Sequence, residues 1–154
     1  MSGNAPEIDL PQLPNASVAI ISSSWHLDIC NDLIAGAQRA LAAAAIKDVE
    51  VIYVPGSFEI PLASQIAFEK GFDAVVAVGL VLEGETPHFD YVCQGVTQGV
   101  MDVSLKFSSP IGFGVLMCNT LDQAIARSGR PGSSEDKGYD SAVAAIKLLQ
   151  LKEG

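Results

Sequence analysis

The chain has 154 residues, of which 49% are hydrophobic and 18% charged, and its formal net charge is −9. This length allows one domain with a proper hydrophobic core. The negative charge argues against a nucleic-acid-binding protein, because the phosphates of DNA and RNA require a basic protein surface. Because the charged fraction is low, we expect part of the surface to be buried against other copies of the chain.

The cysteine and histidine residues lack the patterns of a disulfide framework and of a metal site. Cys30, Cys93 and Cys118 are odd in number and have no CxxC spacing, so we expect buried, reduced thiols. Two histidines without an HExxH-like motif predict no metal site. The N-terminus has no basic region followed by an apolar one, and the longest apolar run is too short for a membrane span. These features predict a cytoplasmic protein.

The N-terminal residues are expected to lie outside the folded domain. Pro6, Pro11 and Pro14 stand among mostly polar residues. Proline cannot donate a hydrogen bond to a β-ladder, so we predict that residues 1–15 form an extended or disordered arm. Residues 16–154 are then predicted to form a single domain.

The first half of that domain alternates strand and helix patterns. Residues 18–21 form an apolar run that predicts a buried strand, and a serine-rich segment follows it. Apolar residues at helical spacing predict a helix at residues 29–44. A second strand is predicted at residues 49–54. The helix predicted after it, at residues 58–69, has its proline in the first turn, where proline is tolerated.

The longest apolar run of the chain comes next and predicts the centre of the sheet. Residues 74–82 are rich in valine and almost continuously apolar, which is typical of a strand buried on both faces. A polar loop at residues 83–87 follows. Apolar residues at helical spacing then predict a long amphipathic helix at residues 89–107, and residues 111–116 are predicted to form the fourth strand.

The last part of the chain is predicted to be helical. Thr120 and Gln123 have the spacing of a capping box, so a short helix is expected to run to about Ser128. A loop at residues 130–137 leads to an amphipathic helix at residues 139–149. The order β-α-β-α-β-α-β-α-α predicts a three-layer α/β domain with a four-stranded parallel sheet between helices, in a flavodoxin-like order.

In such a sheet the carboxyl ends of the strands meet at one edge, where ligands bind. Trp25 and Phe58, which follow two strand ends, could stack on a flat ring, or either could belong to the core. His88 lies where a strand end meets a helix start, so it could transfer protons near neutral pH or serve as a turn residue. Other polar groups predicted near this edge are His26, Ser57, Glu59, residues 83–87, Asn119 and Thr120.

Two charged residues have both a structural and a functional interpretation. Glu59 stands at a helix start, where its carboxylate either complements the helix dipole or accepts hydrogen bonds from a polyol or an amine. Arg127, near a helix C-terminus, is either a dipole partner or a fork for a phosphate group.

Four blocks of the sequence resemble one enzyme family. They are SSSWH at residues 22–26, VPGSFEIP at 54–61, GETPHFDYV at 84–92, and Asn119-Thr120 with Gln123-Ala124 and Arg127. Their order and content are similar to those of the lumazine synthases, which catalyse the penultimate step of riboflavin biosynthesis. The likeness extends from about Val18 to the C-terminus.

This resemblance implies a condensation of 5-amino-6-ribitylaminouracil with 3,4-dihydroxy-2-butanone 4-phosphate. The products would be 6,7-dimethyl-8-ribityllumazine, phosphate and water, with no metal or organic cofactor. It also implies a homo-oligomer whose active sites lie between adjacent subunits. Members of the family form pentamers, some of them stacked or closed into shells, and the arm and the loop at residues 130–137 favour the free pentamer.

The resemblance assigns roles to individual residues. His88 would transfer protons, Trp25 would stack on the pyrimidine, and Phe113 would reach the ring from a neighbouring subunit. Residues implied to bind the ring and ribityl chain are Ser57, Phe58, Glu59, Leu80, Val81 and Leu82. Residues implied to bind the phosphate are Gly84, Glu85, Thr86, Arg127 and Lys137.

Two acidic residues depart from the pattern of the family. Many relatives have a basic residue at the position of Glu83 and a small or neutral one at Glu85. An acid beside a phosphate loop weakens anion binding unless its side chain points to solvent. The alternatives that remain are a flavin mononucleotide carrier of the flavodoxin type and a flavin- or lumazine-binding relative without catalysis.

Overall fold

The computed structural model describes residues 7–154, which form a four-stranded sheet and five α-helices. In chain order the elements are β1 (Ser17–Ser23), α1 (Leu27–Ala43), β2 (Asp48–Val54), α2 (Ile60–Glu69), β3 (Ala74–Leu82), α3 (His88–Phe107), β4 (Ile111–Cys118), α4 (Leu121–Arg127) and α5 (Lys137–Glu153). A single 3₁₀ turn, Ser57–Glu59, precedes α2. The predicted α/β class and four-stranded parallel sheet are confirmed.

The strand order places two non-consecutive strands side by side at the centre of the sheet. The order is β2-β1-β3-β4, and every neighbouring pair is parallel. The chain therefore moves from β1 to β2 at one edge and then crosses back over β1 to β3. The direction of winding reverses between β1 and β3, and a reversal of this kind opens a crevice at the carboxyl ends of the two strands.

The sheet separates two hydrophobic cores. On one face Val18 and Ile20 of β1 pack with α1 and α5, and on the other face Ala19 and Ile21 pack with α2 and α3. All four side chains are completely buried. Successive residues of a strand point to opposite faces, so a strand that is covered on both sides must be apolar at every position. This explains the continuous apolar runs in β1 and β3.

Several element boundaries differ from the predicted ones. The helix α3 begins at His88 rather than at residue 89, and α5 begins at Lys137 rather than at residue 139. The earlier start of α5 has a local cause, because the Asp136 side chain accepts a hydrogen bond from the Tyr139 amide and caps the helix. The capping box predicted at Thr120 and Gln123 is present.

The described part of the N-terminal segment lies against the domain. The Leu13 side chain is buried, and its amide donates a hydrogen bond to the carbonyl of Ala44 at 2.8 Å. The Gln12 side chain donates to the carbonyl of Ala43 at 2.9 Å. The part of the arm prediction that concerns residues 1–6 falls outside the described residues. Between residues 7 and 154, no helix is both long enough and apolar enough to cross a membrane.

Candidate active site

A cleft of about 860 Å³ opens at the carboxyl ends of β1 and β3, where the direction of winding reverses. Ten of the predicted site residues line it: Trp25, Ser57, Phe58, Glu59, Leu80, Val81, Leu82, Gly84, Thr86 and His88. Its other lining residues are His26, Pro55, Gly56, Glu83, Phe89, Tyr91 and Val92. Glu85, Phe113, Arg127 and Lys137 are not among its lining residues.

The two aromatic side chains of the cleft are not core residues. Trp25, which follows the buried strand β1, is 68% exposed, and Phe58, which follows the edge strand β2, is 61% exposed. A large apolar ring that is left in solvent at the mouth of a cleft is available for stacking on a flat ligand. The structural interpretation of these residues as part of the core is therefore wrong.

The backbone around Trp25 is held by hydrogen bonds on both sides. The Ser24 hydroxyl donates to the Val54 carbonyl at 2.8 Å, which ties the end of β1 to the end of β2. The buried Cys30 thiol donates to the Trp25 carbonyl at 3.2 Å. Burial raises the pKa of the Cys30 thiol, so the proton needed for this bond stays on the sulfur at neutral pH. His26 then turns the chain into α1 with a left-handed φ of 54°.

A close approach between β3 and Ser57, one of the residues that line the cleft, favours a glycine at position 79. A Cβ atom at Gly79 would lie 2.7 Å from Ser23 Oγ and 2.8 Å from Ser57 Oγ, which is too close for any larger residue without movement. Ser57 is only 5% exposed, and its hydroxyl has no hydrogen-bond partner within residues 7–154. An unpaired buried hydroxyl is costly, so this group is available to a ligand or water that enters the cleft.

The loop before α3 presents its polar groups to solvent. His88 is the first residue of α3, and its amide lies 3.4 Å from the Thr86 hydroxyl, which accepts a hydrogen bond from it. A Cβ atom at Gly84 would meet no heavy atom within 4 Å among the described residues, so the backbone there is open to a ligand. A helix N-terminus with exposed amides favours a negatively charged group.

Glu83 and Glu85 are the two acidic residues that depart from the family pattern, and only Glu83 faces the cleft. Glu83 lines the cleft, and its carboxylate accepts a hydrogen bond from the side-chain amide of Asn119. This hydrogen bond ties the Glu83 carboxylate to Asn119, which lies just before α4. Glu85 is exposed and is not among the residues that line the cleft. Its carboxylate therefore has high-dielectric solvent around it, which weakens any repulsion of an anion.

Arg127 and Lys137 belong to a separate group, the cation cluster, which also contains Glu135 and Asp140. Arg127 Nε lies 3.5 Å from one Glu135 oxygen and Lys137 Nζ lies 3.1 Å from the other. Lys137 Nζ is also 3.7 Å from Asp140. Burial raises the pKa of Asp140, and the adjacent Lys137 opposes that rise. Both cations were predicted as site residues, whereas their shared acid, Glu135, was not.

Comparisons with known proteins identify the family. The sequence model of the 6,7-dimethyl-8-ribityllumazine synthase family matches residues 15–153. Among similar proteins with that name, the one from Streptomyces coelicolor is 48% identical over 95% of this chain and 91% of its own length. The one from Arthrobacter sp. strain FB24 is 49% identical over 95% of this chain and 94% of its own length. The chain belongs to the 6,7-dimethyl-8-ribityllumazine synthase family.

Membership of the lumazine synthase family confirms the resemblance drawn from the sequence blocks. A further relative of this name, from Mycobacterium sp. strain KMS, is 45% identical and covers 100% of this chain and 97% of its own length. The likeness therefore covers the cleft, the cation cluster and the helices around them. Sequence reasoning missed Tyr91 and Val92, which lie one turn after His88 on α3. Their helical spacing from His88 was the signal that could have found them.

Proposed function

We propose that this protein condenses 5-amino-6-ribitylaminouracil with 3,4-dihydroxy-2-butanone 4-phosphate to give 6,7-dimethyl-8-ribityllumazine, phosphate and water. The observation that carries the proposal is a cleft with two exposed aromatic rings, Glu59 and His88, in a chain that belongs to the lumazine synthase family. An amine of the pyrimidine attacks the ketone, a Schiff base forms, phosphate leaves and the second ring closes. The protein contributes mainly by holding the two substrates in reacting geometry.

The pyrimidine substrate occupies the cleft in this proposal. Its ring stacks on Trp25 and contacts Phe58 and the main chain of residues 80–82. Glu59 and the unpaired hydroxyl of Ser57 bind the ribityl chain, which carries hydroxyl groups along its whole length. His88, at the rim of the same cleft, transfers protons as the Schiff base forms and the phosphate leaves.

The phosphate of the second substrate binds between the open loop and the cation cluster. Backbone amides of residues 84–86 and the N-terminus of α3 supply neutral donors, with Glu85 contributing its amide and not its carboxylate. Arg127 and Lys137 supply the positive charge. A chain of net charge −9 needs such local cations to capture an anionic substrate.

We also propose a homopentamer with each active site between adjacent subunits. Two features of the single chain support this assembly. Phe113 of β4 is 41% exposed and does not line the cleft of its own chain. Arg127 and Lys137 do not line that cleft either. Exposed apolar side chains on α3, such as Tyr91 and Leu105, suit a surface that is covered in an assembly. We place the reaction in the cytoplasm and assign it to a single domain of residues 16–154, which the N-terminal arm precedes.

Mixing the two substrates with pure protein tests this function. We expect lumazine fluorescence to appear at a rate proportional to protein concentration and to depend on both substrates. A flavodoxin-type carrier would instead purify yellow with stoichiometric flavin and show no turnover. A non-catalytic binding protein would bind the lumazine without accelerating its formation, and either result would contradict the proposal.

A further inference from the structure

The cation cluster contains its own anion. The Glu135 carboxylate lies between the two cations, with one oxygen 3.5 Å from Arg127 Nε and the other 3.1 Å from Lys137 Nζ. The contact with Lys137 lacks hydrogen-bond geometry, and the Glu135 oxygen that makes it is buried without a hydrogen-bond donor among the described residues. Glu135 therefore occupies the position of an anion bridging two cations, but it binds them imperfectly.

Glu135 is the fixed member of this group. Its amide donates a hydrogen bond to the Ala126 carbonyl at 3.0 Å, and its carbonyl accepts one from the Gly129 amide at 3.1 Å. Its side chain is only 14% exposed, whereas that of Arg127 is 38% exposed. Arg127 Nη1 donates a hydrogen bond to the Gln123 carbonyl at 2.9 Å, whereas Lys137 has a flexible four-carbon stem, so Lys137 can reorient towards a ligand more easily than the acid can move.

The charges of the cluster cancel. Arg127 and Lys137 carry two positive charges, and Glu135 and Asp140 carry two negative ones. An incoming phosphate group therefore meets no net positive charge, and it contacts the two cations directly only where it displaces the Glu135 carboxylate. Arg130, the next cation along the chain, is already paired with Asp32 at 2.8 Å and does not change this balance.

We propose that Glu135 is a positioning residue that competes with phosphate for Arg127 and Lys137. It holds both side chains before substrate binds, and it weakens the binding of phosphate-bearing ligands to them. The leaving phosphate is displaced more readily because a carboxylate is ready to take back both cations. This inference rests on the proposed function, in which the same two cations bind the substrate phosphate.

The test compares inorganic phosphate binding to the wild-type protein and to Glu135→Gln. Phosphate is added as a competitive inhibitor against 3,4-dihydroxy-2-butanone 4-phosphate, with initial rates followed by lumazine fluorescence. Removing a negative charge that contacts both cations should tighten phosphate binding roughly tenfold for such a partly buried pair. A gain of affinity separates this role from a structural one, because damage to the fold weakens binding.

Matched variants distinguish competition between Glu135 and phosphate for the cations from the effect of removing a negative charge anywhere on the protein. Glu69→Gln makes the same substitution at the C-terminal end of α2, which leads to the start of β3 at the edge of the sheet opposite the cleft. We expect it to leave phosphate inhibition unchanged. In an Arg127→Gln background, Glu135→Gln should tighten phosphate binding much less, because one of the two cations for which it competes is gone.

The outcomes are distinguishable. Phosphate inhibition that is unchanged or weaker in Glu135→Gln, with lumazine still formed, would overturn the role of Glu135 and leave the proposed function intact. A wild-type protein that forms no lumazine would overturn the proposed function itself. If Glu135→Gln does not fold, Glu135→Asp keeps the charge but shortens the side chain by one methylene, and an intermediate tightening is expected. Unchanged inhibition in a folded Glu135→Asp protein would also count against the inference.

Discussion

The cleft and the cation cluster are built in different ways, although we propose that both serve one reaction. The cleft is made by strand ends that the sheet brings together, and it is lined by residues from three parts of the chain within one subunit. The cation cluster is made by the end of α4, the loop that follows and the first turn of α5, and its charges cancel internally. A single chain therefore has a formed site for a flat ring but only a neutralised site for a phosphate.

This difference has a physical basis. Stacking and hydrogen bonding need a concave surface of fixed shape, which a parallel sheet supplies at the point where its winding reverses. Phosphate binding needs positive charge, and in a chain of net charge −9 a nearby carboxylate is paired with both cations. A single chain can therefore form the cleft before any ligand binds. The cations of the cluster stay paired with Glu135 until a ligand or a neighbouring subunit changes that pairing.

The largest effect should come from the residue at the rim of the cleft that we assign to proton transfer. His88→Ala should lower kcat by about 10², at the low end of general acid–base effects, because an aligned amine and ketone can react without assistance. Binding of a pyrimidine analogue should change little. Single-turnover rates and an analogue titration measure the two quantities, and an unchanged kcat would remove His88 from the mechanism.

The next largest effect should come from Trp25, which we propose stacks on the pyrimidine ring. Trp25→Ala should weaken binding of the aminouracil and of riboflavin-like analogues by about 1–3 kcal/mol, as expected for the loss of a stacked ring. Trp25→Phe keeps a flat ring and should restore most of the affinity. Analogue titration by flavin fluorescence gives both values. Equal affinities for wild-type and Trp25→Ala proteins would show that the exposed indole has no part in binding.

A third prediction asks whether the cleft and the cation cluster of one site belong to different subunits. His88→Ala and Arg127→Ala proteins, each impaired, are unfolded together and reassembled. In a randomly mixed ring an intact site needs His88 from one subunit and Arg127 from its neighbour, so about a quarter of wild-type sites should return. Initial rates at low butanone phosphate report the recovery. Activity that remains at the mean of the two variants, with mixing confirmed by mass, would place both residues in one subunit.

The smallest effect concerns the support of the cation cluster. Thr120→Ala removes the capping box of α4, the helix that carries Arg127 at its end, and should lower the free energy of unfolding by about 1 kcal/mol. Affinity for pyrimidine analogues should stay the same, because the cleft does not depend on this cap. Thr120→Ser keeps the capping hydroxyl and serves as the control. Denaturant unfolding with a parallel titration would expose any unexpected link between the two regions.

Much of the architecture followed from local sequence patterns. The apolar runs at residues 18–21 and 74–82 predict the strands Ser17–Ser23 and Ala74–Leu82, because burial on both faces demands uninterrupted apolar residues. The capping box at Thr120 was predicted because its partner lies three residues away. The start of α5 was misplaced by two residues, since the capping role of Asp136 depends on a side-chain contact and not on apolar spacing.

The fold class, the family and ten residues of the cleft follow from the amino-acid sequence, because these depend on apolar periodicity and on contiguous blocks of residues. The exposure of Trp25, the close approach of two serine hydroxyls to Gly79 and the position of Glu135 between Arg127 and Lys137 follow from the packing of the folded chain. These features depend on the strand order and on loop conformations that join residues distant along the chain. Exposure, close contact and charge pairing are properties of that packing, and no local pattern encodes them.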